Sequence, residues 1–326
     1  YRGRVPATKS LTDYLLYVSF FPQLAAGPIE RAERLLVQFQ NQRIVTADGV
    51  YRGLLLLLWG LFKKVAVADN LGIYVDAVFN NHEQHGGLSL LFATYLFSFQ
   101  IYCDFSGYCD MAVGMARLLG LDMMMNFKTP YFSESPQEFW RRWHIALSTW
   151  FRDYVYIPLG GGRGTLVHVC AVTMVVFLAS GLWHGADWRF VIWGGLHGLY
   201  LIAQRLLGVA RNPSTGVRRV LRIALTFQLV ALAWIFFRAN SAGDAFEIVA
   251  TIATQPGEFF YSRQVVNGLV CLAILVGVEA WTQPRYFDEW LAERRPASQL
   301  AVATVVLFAL LLLGQQRGAQ FIYFQF

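Results

Sequence analysis

Charge is scarce in this sequence. Only 15% of its 326 residues are Asp, Glu, Lys or Arg, while 56% are hydrophobic and the mean hydropathy is +0.41; a soluble domain usually carries about 25% charged residues. That balance excludes an ordinary water-solvated globular fold and places the chain in a lipid bilayer. Cysteine is sparse as well. Cys103, Cys109, Cys170 and Cys271 show neither CxxC spacing nor the dense, even distribution of a disulfide-stapled secreted domain, so they read as small buried apolar residues. Also absent are GxSxG, HExxH, a Walker A sequence and GxGxxG, which removes serine-hydrolase, zincin and nucleotide-driven readings. A metal or haem site built from His168, His184 and His197 is disfavoured, because His168 and His184 would lie about 24 Å apart on a continuous helix at ~1.5 Å per residue. No bound metal is expected.

What the sequence has is apolar length. Residues 54–61 with their flanks, 88–103, 169–183, 223–237, 265–278 and 300–314 are uncharged or nearly so and approach the ~20 residues of a bilayer-crossing helix. One such stretch could be an anchor, but this many make a bundle. The expected fold class is an all-α polytopic membrane protein, one domain over residues 1–326, with no internal repeat and no soluble appendage. The formal net charge of +6 is dispersed among short connectors and not gathered on one face, so nucleic acid is not expected as a partner. The positive-inside rule explains the distribution better. It places the Arg-rich connector 204–222 in the cytoplasm, 239–263 outside, and 283–295 inside again. The chain starts at Tyr1, and residues 1–10 are polar and basic with no signal-peptide pattern, so an N-terminal segment is expected to be missing from this piece.

Three segments carry polar groups where an apolar chain should avoid them. Residues 11–30 are interrupted by Pro22 and Gly27-Pro28, which predicts a broken or re-entrant segment. Asp104 and Asp110 sit in the otherwise nearly uncharged stretch 101–120, where a lipid-facing carboxylate costs roughly 2.5–3.5 kcal/mol on insertion scales, so each should face a cavity or a partner. Residues 137–157, placed on one helix, put Phe139, Trp140, Trp143, Leu147, Trp150, Phe151 and Tyr154 on an apolar stripe. Gln137, Arg141, His144, Ser148 and Arg152 then form a polar one.

The most informative stretch follows. Two apolar runs within residues 169–203, each short for a full span, are joined by Trp183-His184-Gly185-Ala186-Asp187-Trp188-Arg189. Glycine-interrupted segments of this kind place polar groups at depth while lining a cavity. Acyl transfer from a thioester to a hydroxyl needs a base, a holder for the developing oxyanion and exclusion of water. Neutral imidazole, with an unperturbed pKa of ~6.5, suits the first task. His184 is the base candidate, with Gly181 and Gly185 leaving room beside it. His144 could orient the hydroxyl or donate to the oxyanion. On pattern alone, His184 is as readily a hydrogen-bonded structural residue as a catalyst. His197, beside glycines in an apolar helix, reads as a packing residue, and the aromatic segment from Trp140 to Tyr156 as an interfacial belt.

These same residues carry a resemblance. Phe139-Trp140-Arg141-Arg142-Trp143-His144, continuing through Phe151-Arg152-Asp153-Tyr154 to Ile157-Pro158-Leu159-Gly160-Gly161, and then Gly181-Leu182-Trp183-His184-Gly185, resemble the membrane-bound O-acyltransferase (MBOAT) family, in particular its bacterial alginate O-acetylation branch. Ser19-Phe20-Phe21-Pro22-Gln23, Leu61-Phe62-Lys63-Lys64, Asp104-Phe105-Ser106-Gly107-Tyr108 and Phe236-Phe237-Arg238-Ala239 match in the same order. The resemblance implies a helical bundle with broken or re-entrant segments around a central funnel, His184 as the catalytic histidine and His144 as its companion. Asp104, Arg141, Arg152 and Trp183 become substrate-binding candidates. It implies no tightly bound cofactor, and acetyl-CoA or another acyl thioester as donor. The partners would be that acyl donor, a polysaccharide or an exported acyl-accepting protein, and the lipid bilayer, at the bacterial cytoplasmic (inner) membrane. The family's usual first transmembrane helices are not in this sequence. A transporter or flippase lined by Asp104 and Asp110, or a noncatalytic scaffold of an envelope polysaccharide assembly, are the rival readings.

Overall fold

The computed structural model describes residues 8–209, 214–283, 285–315 and 321–322. Among these, every regular element is helical. The interrupted start is indeed broken: α1 (Leu11–Ser19) is capped by the Ser10 hydroxyl, which accepts the Asp13 N–H at 3.1 Å, and α2 (Phe21–Leu24) carries Pro22 in its first turn. Neither is long enough to cross a bilayer. After α3 (Ala32–Gln40), α4 (Ala47–Leu61) passes through a π-helical turn, Phe62–Ala68, into α5 (Asp69–Phe79).

The centre of the molecule is α6 (Gly87–Leu118), whose 32 residues make a rod about 48 Å long at ~1.5 Å per residue. It packs against α4, the π-turn and α5. Glycines seven residues apart permit the closest approach. A Cβ at Gly60 would lie 2.5 Å from the Gly107 carbonyl oxygen, and one at Gly114 would lie 2.7 Å from that of Gly53, so the two backbones touch where side chains would hold them apart.

The intramembrane carboxylates have partners, and these come from the π-turn. Lys64 Nζ lies 2.6 Å from Asp104 and 2.7 Å from Asp69, while Lys63 Nζ lies 2.5 Å from Asp110 and donates to Ser106 Oγ at 3.0 Å. Two consecutive lysines on a regular α-helix point about 100° apart; here both turn inward onto α6. Asp104 also accepts the Ile322 N–H at 2.7 Å, which ties the end of the described chain to the same cluster.

Beyond α6, α7 (Pro136–Arg142) and α8 (Ile145–Phe151) lead to α9 (Leu166–His184) and α10 (Trp188–Leu206), which pack closely against each other. Both hold 19 residues, about 28 Å at ~1.5 Å per residue. They are thus longer than the apolar runs suggested, because capped polar turns extend them. Next come α11 (Gly216–Arg238), α12 (Ala242–Thr254), α13 (Val265–Thr282), α14 (Phe287–Ala292) and α15 (Pro296–Leu313). Five of the described helices, α6, α9, α11, α13 and α15, are long and apolar enough to cross a membrane.

Connectors distant in sequence meet at the two ends of α6. At its start, the Gly87 and Leu88 N–H groups donate to the Gln255 and Pro256 carbonyls at 2.8 and 2.9 Å. Toward its other end, Arg117 pairs with Asp288 at 2.5 Å, and Glu134 faces Arg219 and Arg222.

The lysine–carboxylate cluster makes a stability prediction. Lys64→Met leaves Asp69 and Asp104 facing each other without their shared cation, and removing one partner of a buried pair typically costs about 3–5 kcal/mol. The thermal midpoint in detergent should fall sharply, with Lys64→Arg retaining much more of it. A Lys64→Met protein as stable as the parent would show that the cluster contributes nothing to the fold.

Candidate active site

The segment expected to form one amphipathic helix is instead interrupted at the residue that matters most. α7 stops at Arg142, Trp143 is extended, and His144 adopts φ 43° and ψ 55° before α8 begins. A non-glycine residue in this left-handed region costs about 1–2 kcal/mol, so neighbouring contacts must hold it there. They do. The Asn126 carbonyl accepts the Ile145 N–H at 2.9 Å, and its side-chain Oδ1 accepts the Ala146 N–H at 3.0 Å. Two of the unpaired N–H groups at the start of α8 are thereby satisfied by one residue. The break turns His144 inward, to 4% exposure, whereas Gln137, Arg141, Ser148 and Arg152 remain on the polar face. His144 is therefore not on a wet stripe, as the regular periodicity predicted.

Asn126 also determines which nitrogen of His144 carries the proton. Its amide Nδ2 donates to Cys109 Sγ at 3.3 Å and its Oδ1 already accepts from Ala146, so Oδ1 can only accept from His144 Nδ1, 3.2 Å away. Nδ1 is thus the protonated nitrogen, and Nε2 presents a lone pair. Burial, with a further contribution from the nearby His184, pushes the His144 imidazole down to about 3, so it is neutral near pH 7. A neutral ring with that tautomer can accept a proton or a hydroxyl hydrogen at Nε2. It cannot donate to an oxyanion from that nitrogen, which removes one of the two roles open to it from sequence.

His184 ends α9, and Gly185 follows it with an extended backbone before Asp187 caps α10 by accepting the Arg189 N–H at 3.0 Å. The expected break between two apolar helices is present here. The Trp183 ring meets both imidazoles, edge-on to each, with centroid distances of 6.4 Å to His144 and 5.0 Å to His184. The other sides of His184 meet Trp193 and Phe237 at 5.0 and 5.2 Å. The fold thus brings the two predicted histidines into one aromatic enclosure.

Below this enclosure lies a cavity of about 970 Å³ between α7–α8 and α9–α10. Arg141, Arg152 and Arg205 line it, with Gln204 and Gly208 at the Arg-rich connector assigned to the cytoplasm. Its wall on α9 includes Thr173, Phe177 and Ser180, at helical spacing and one turn before His184. Arg152 is paired with Asp153 at 2.7 Å, whereas Arg141 and Arg205 form no ion pair among the described residues. Trp183 is half-exposed beside the histidines and not in the cavity wall. Asp104 lies in the lysine cluster, 2% exposed, facing away from the cavity although its neighbour Phe105 touches His144 edge-on at 4.7 Å. With Asp110 likewise closed against Lys63, neither of the carboxylates that suggested a translocation path lines this cavity.

Comparison with known proteins gives the family. The model of the membrane-bound O-acyltransferase family matches residues 5–241. The chain belongs to the MBOAT family. It is 43% identical over 252 residues to a probable alginate O-acetylase of Azotobacter vinelandii, covering 77% of this chain and 50% of that protein. It is 41% identical over 240 residues to a peptidoglycan O-acetyltransferase of Helicobacter pylori, covering 73% of this chain and 46% of that one. A teichoic acid D-alanyltransferase of Bacillus subtilis is 27% identical over 237 residues, 68% of this chain and 60% of its own length. The chain spans about half the length of the alginate and peptidoglycan relatives it matches.

Asn126 is the residue that sequence reasoning passed over. It stands 18 residues before His144 in a short loop, and only the fold brings the two together. Asn126→Ala removes the acceptor of the Ala146 N–H and of His144 Nδ1. Leaving that buried N–H unpaired should cost about 1–3 kcal/mol in unfolding measurements. At matched abundance, 15N chemical shifts of the His144 ring should change from the single Nδ1–H tautomer to a mixture; an unchanged ring signature would show that Asn126 does not set it.

Proposed function

We propose that this MBOAT chain transfers an acyl group, acetyl in the simplest case, from a thioester donor to a hydroxyl, with His184 as the base. The observation that carries this reading is the cavity that ends beside the histidine pair. It runs from an arginine-lined end at the connector after α10, along α9 and α10, to Ile145, which follows His144, and Ser180, one turn before His184. Acetyl-CoA or another acyl thioester enters at the arginines, whose charge suits phosphate groups, and the acceptor hydroxyl approaches His184 from the other side. Names of relatives support an acceptor of the bacterial envelope, such as alginate, peptidoglycan or teichoic acid. An extracytoplasmic polysaccharide, or an exported protein that receives the acyl group, is the acceptor in this reading, and the bacterial cytoplasmic membrane is the site.

The chemistry needs few parts. His184 takes the hydroxyl proton as the oxygen attacks the thioester carbonyl, while His144 Nε2 orients the acceptor by accepting from a second, neighbouring hydroxyl. The tetrahedral intermediate then expels the sulfur, the C–S bond breaks, and the thiolate leaves as thiol with the proton held by His184. The surrounding Trp183, Trp193 and Phe237 keep water from the thioester.

His184→Ala, in the complete protein at parental abundance, should lower the O-acetyl content of the cell-surface polymer at least 100-fold, the lower range of what a general base contributes (~10²–10⁴). Normal acetylation in that variant would sink the assignment, and loss of polymer export would favour transport. Arg141→Gln and Arg205→Gln should each raise the KM for acetyl-CoA about tenfold, as expected for one charge-assisted hydrogen bond. An unchanged KM would place the donor elsewhere.

A further inference from the structure

One face of α10 carries buried hydrogen-bond donors that the reaction above does not use. Trp193 is 1% exposed and His197 is 0% exposed, yet among the described residues Trp193 Nε1 and His197 Nε2 have no hydrogen-bond partner, and neither does the hydroxyl of Tyr200. Their spacing of four and then three residues sets them one above another on the helix. The state of His197 follows from its neighbour. Trp140 Nε1–H donates to His197 Nδ1 at 3.2 Å, so Nδ1 carries no proton and Nε2 carries the only one. The ring is therefore a neutral donor. A buried N–H or O–H left without an acceptor costs about 1–3 kcal/mol, and a series of them along one face calls for an acceptor.

Their position indicates which acceptor. At the upper end, the Trp193 ring lies edge-on to His184 at 5.0 Å. Below, His197 continues through Leu201, Gln204 and Gly208, which line the cavity at the same helical spacing. Trp140 and Phe177, both in the cavity wall, also touch the His197 ring, at 5.0 and 6.3 Å between centroids. The series thus runs from the His184 imidazole toward the cavity, directly behind the Trp140 and Phe177 wall and not itself lining the cavity, and none of its members is charged. Reached by a shift of that wall, such a series fits a narrow, neutral chain bearing carbonyl oxygens and disfavours a desolvated anion.

We infer that Trp193, His197 and Tyr200 form a carbonyl-binding track for the acyl donor, in which their N–H and O–H groups donate to the thioester and amide carbonyl oxygens of its arm. This inference rests on the acyl-transfer reading and adds the side chains that hold the donor beside His184. The donor nearest to His184, Trp193 Nε1–H, is the one placed to take the thioester carbonyl, where negative charge develops during attack.

The test uses the complete protein in nanodiscs and S-acetyl-N-acetylcysteamine, a short arm with one thioester and one amide carbonyl. Tyr200→Phe removes a single hydroxyl, and His197→Gln keeps an N–H donor near the position of Nε2, whereas His197→Phe removes it. Tyr200→Phe and His197→Phe are expected to raise the Kd of this thioester about 3- to 10-fold, one neutral hydrogen bond each, with His197→Gln recovering part of the loss. The infrared carbonyl bands of the bound, 13C-labelled arm should move to higher frequency in the variants that lack a donor. If His197→Phe does not fold, Tyr200→Phe still decides the matter through the same bands. Parental affinity and unchanged bands in the variants that lack a donor overturn the track and leave the donors to buried water or ring faces. Loss of transfer in His184→Ala alongside that result leaves the acyl-transfer reading standing without the track; a parent protein that neither binds nor turns over the thioester removes both.

Discussion

A polar group buried in a membrane protein has no water to fall back on, and that constraint shapes this molecule from end to end. Lys63 and Lys64, Asp69, Asp104 and Asp110 are tolerable inside the bundle because each charge meets its opposite at 2.5–2.7 Å. A regular α-helix would separate the two lysines around its axis. The π-helical turn brings both onto α6, and the glycine seam between α4 and α6 lets the backbones come close enough for the contacts to close. The pairs do not by themselves make the fold more stable than an apolar core would. They make any other register of α4 against α6 strongly unfavourable, because a shifted helix would strand several charges at once.

The same constraint builds the candidate site. A helix that starts at Ile145 exposes N–H groups that must be answered, and Asn126 answers two of them from across the chain. In doing so it holds His144 in a left-handed conformation, inside the protein, with one tautomer. The break at Gly185 leaves His184 at a helix end, one turn beyond Ser180 in the cavity wall. Structure and chemistry coincide here for a physical reason. Helix ends are where backbone geometry is free to turn a side chain into a cavity, and a low-dielectric enclosure is where a neutral imidazole works as a base. The donors along α10 are the part of this arrangement that remains unanswered by protein, which is why a ligand is the natural partner for them.

Much of this was legible in the residues. Low charge and repeated apolar runs implied a helical membrane bundle, and the glycine-flanked Trp183-His184 turn implied a break. All of these are local properties, set by hydropathy and by the inability of proline and glycine clusters to continue a helix. The periodicity of residues 137–157 was legible too, and it correctly grouped Gln137, Arg141, Ser148 and Arg152 along one cavity. It failed at His144 because the 3.6-residue period assumes an unbroken helix, and the break depends on a residue 18 positions away.

The sequence by itself therefore determined the solvent this protein lives in, the class of its fold and the pair of histidines to examine, since these follow from composition and short-range pattern. Tertiary structure alone decided what surrounds them. It placed Asp104 in an ion-pair lock and not beside the cavity, chose the protonated nitrogen of His144 through Asn126, and left Trp193, His197 and Tyr200 with donors still to be matched. The physical reason is that hydrogen bonds and ion pairs are made at about 3 Å between groups far apart in the chain. No linear pattern records which of them will meet.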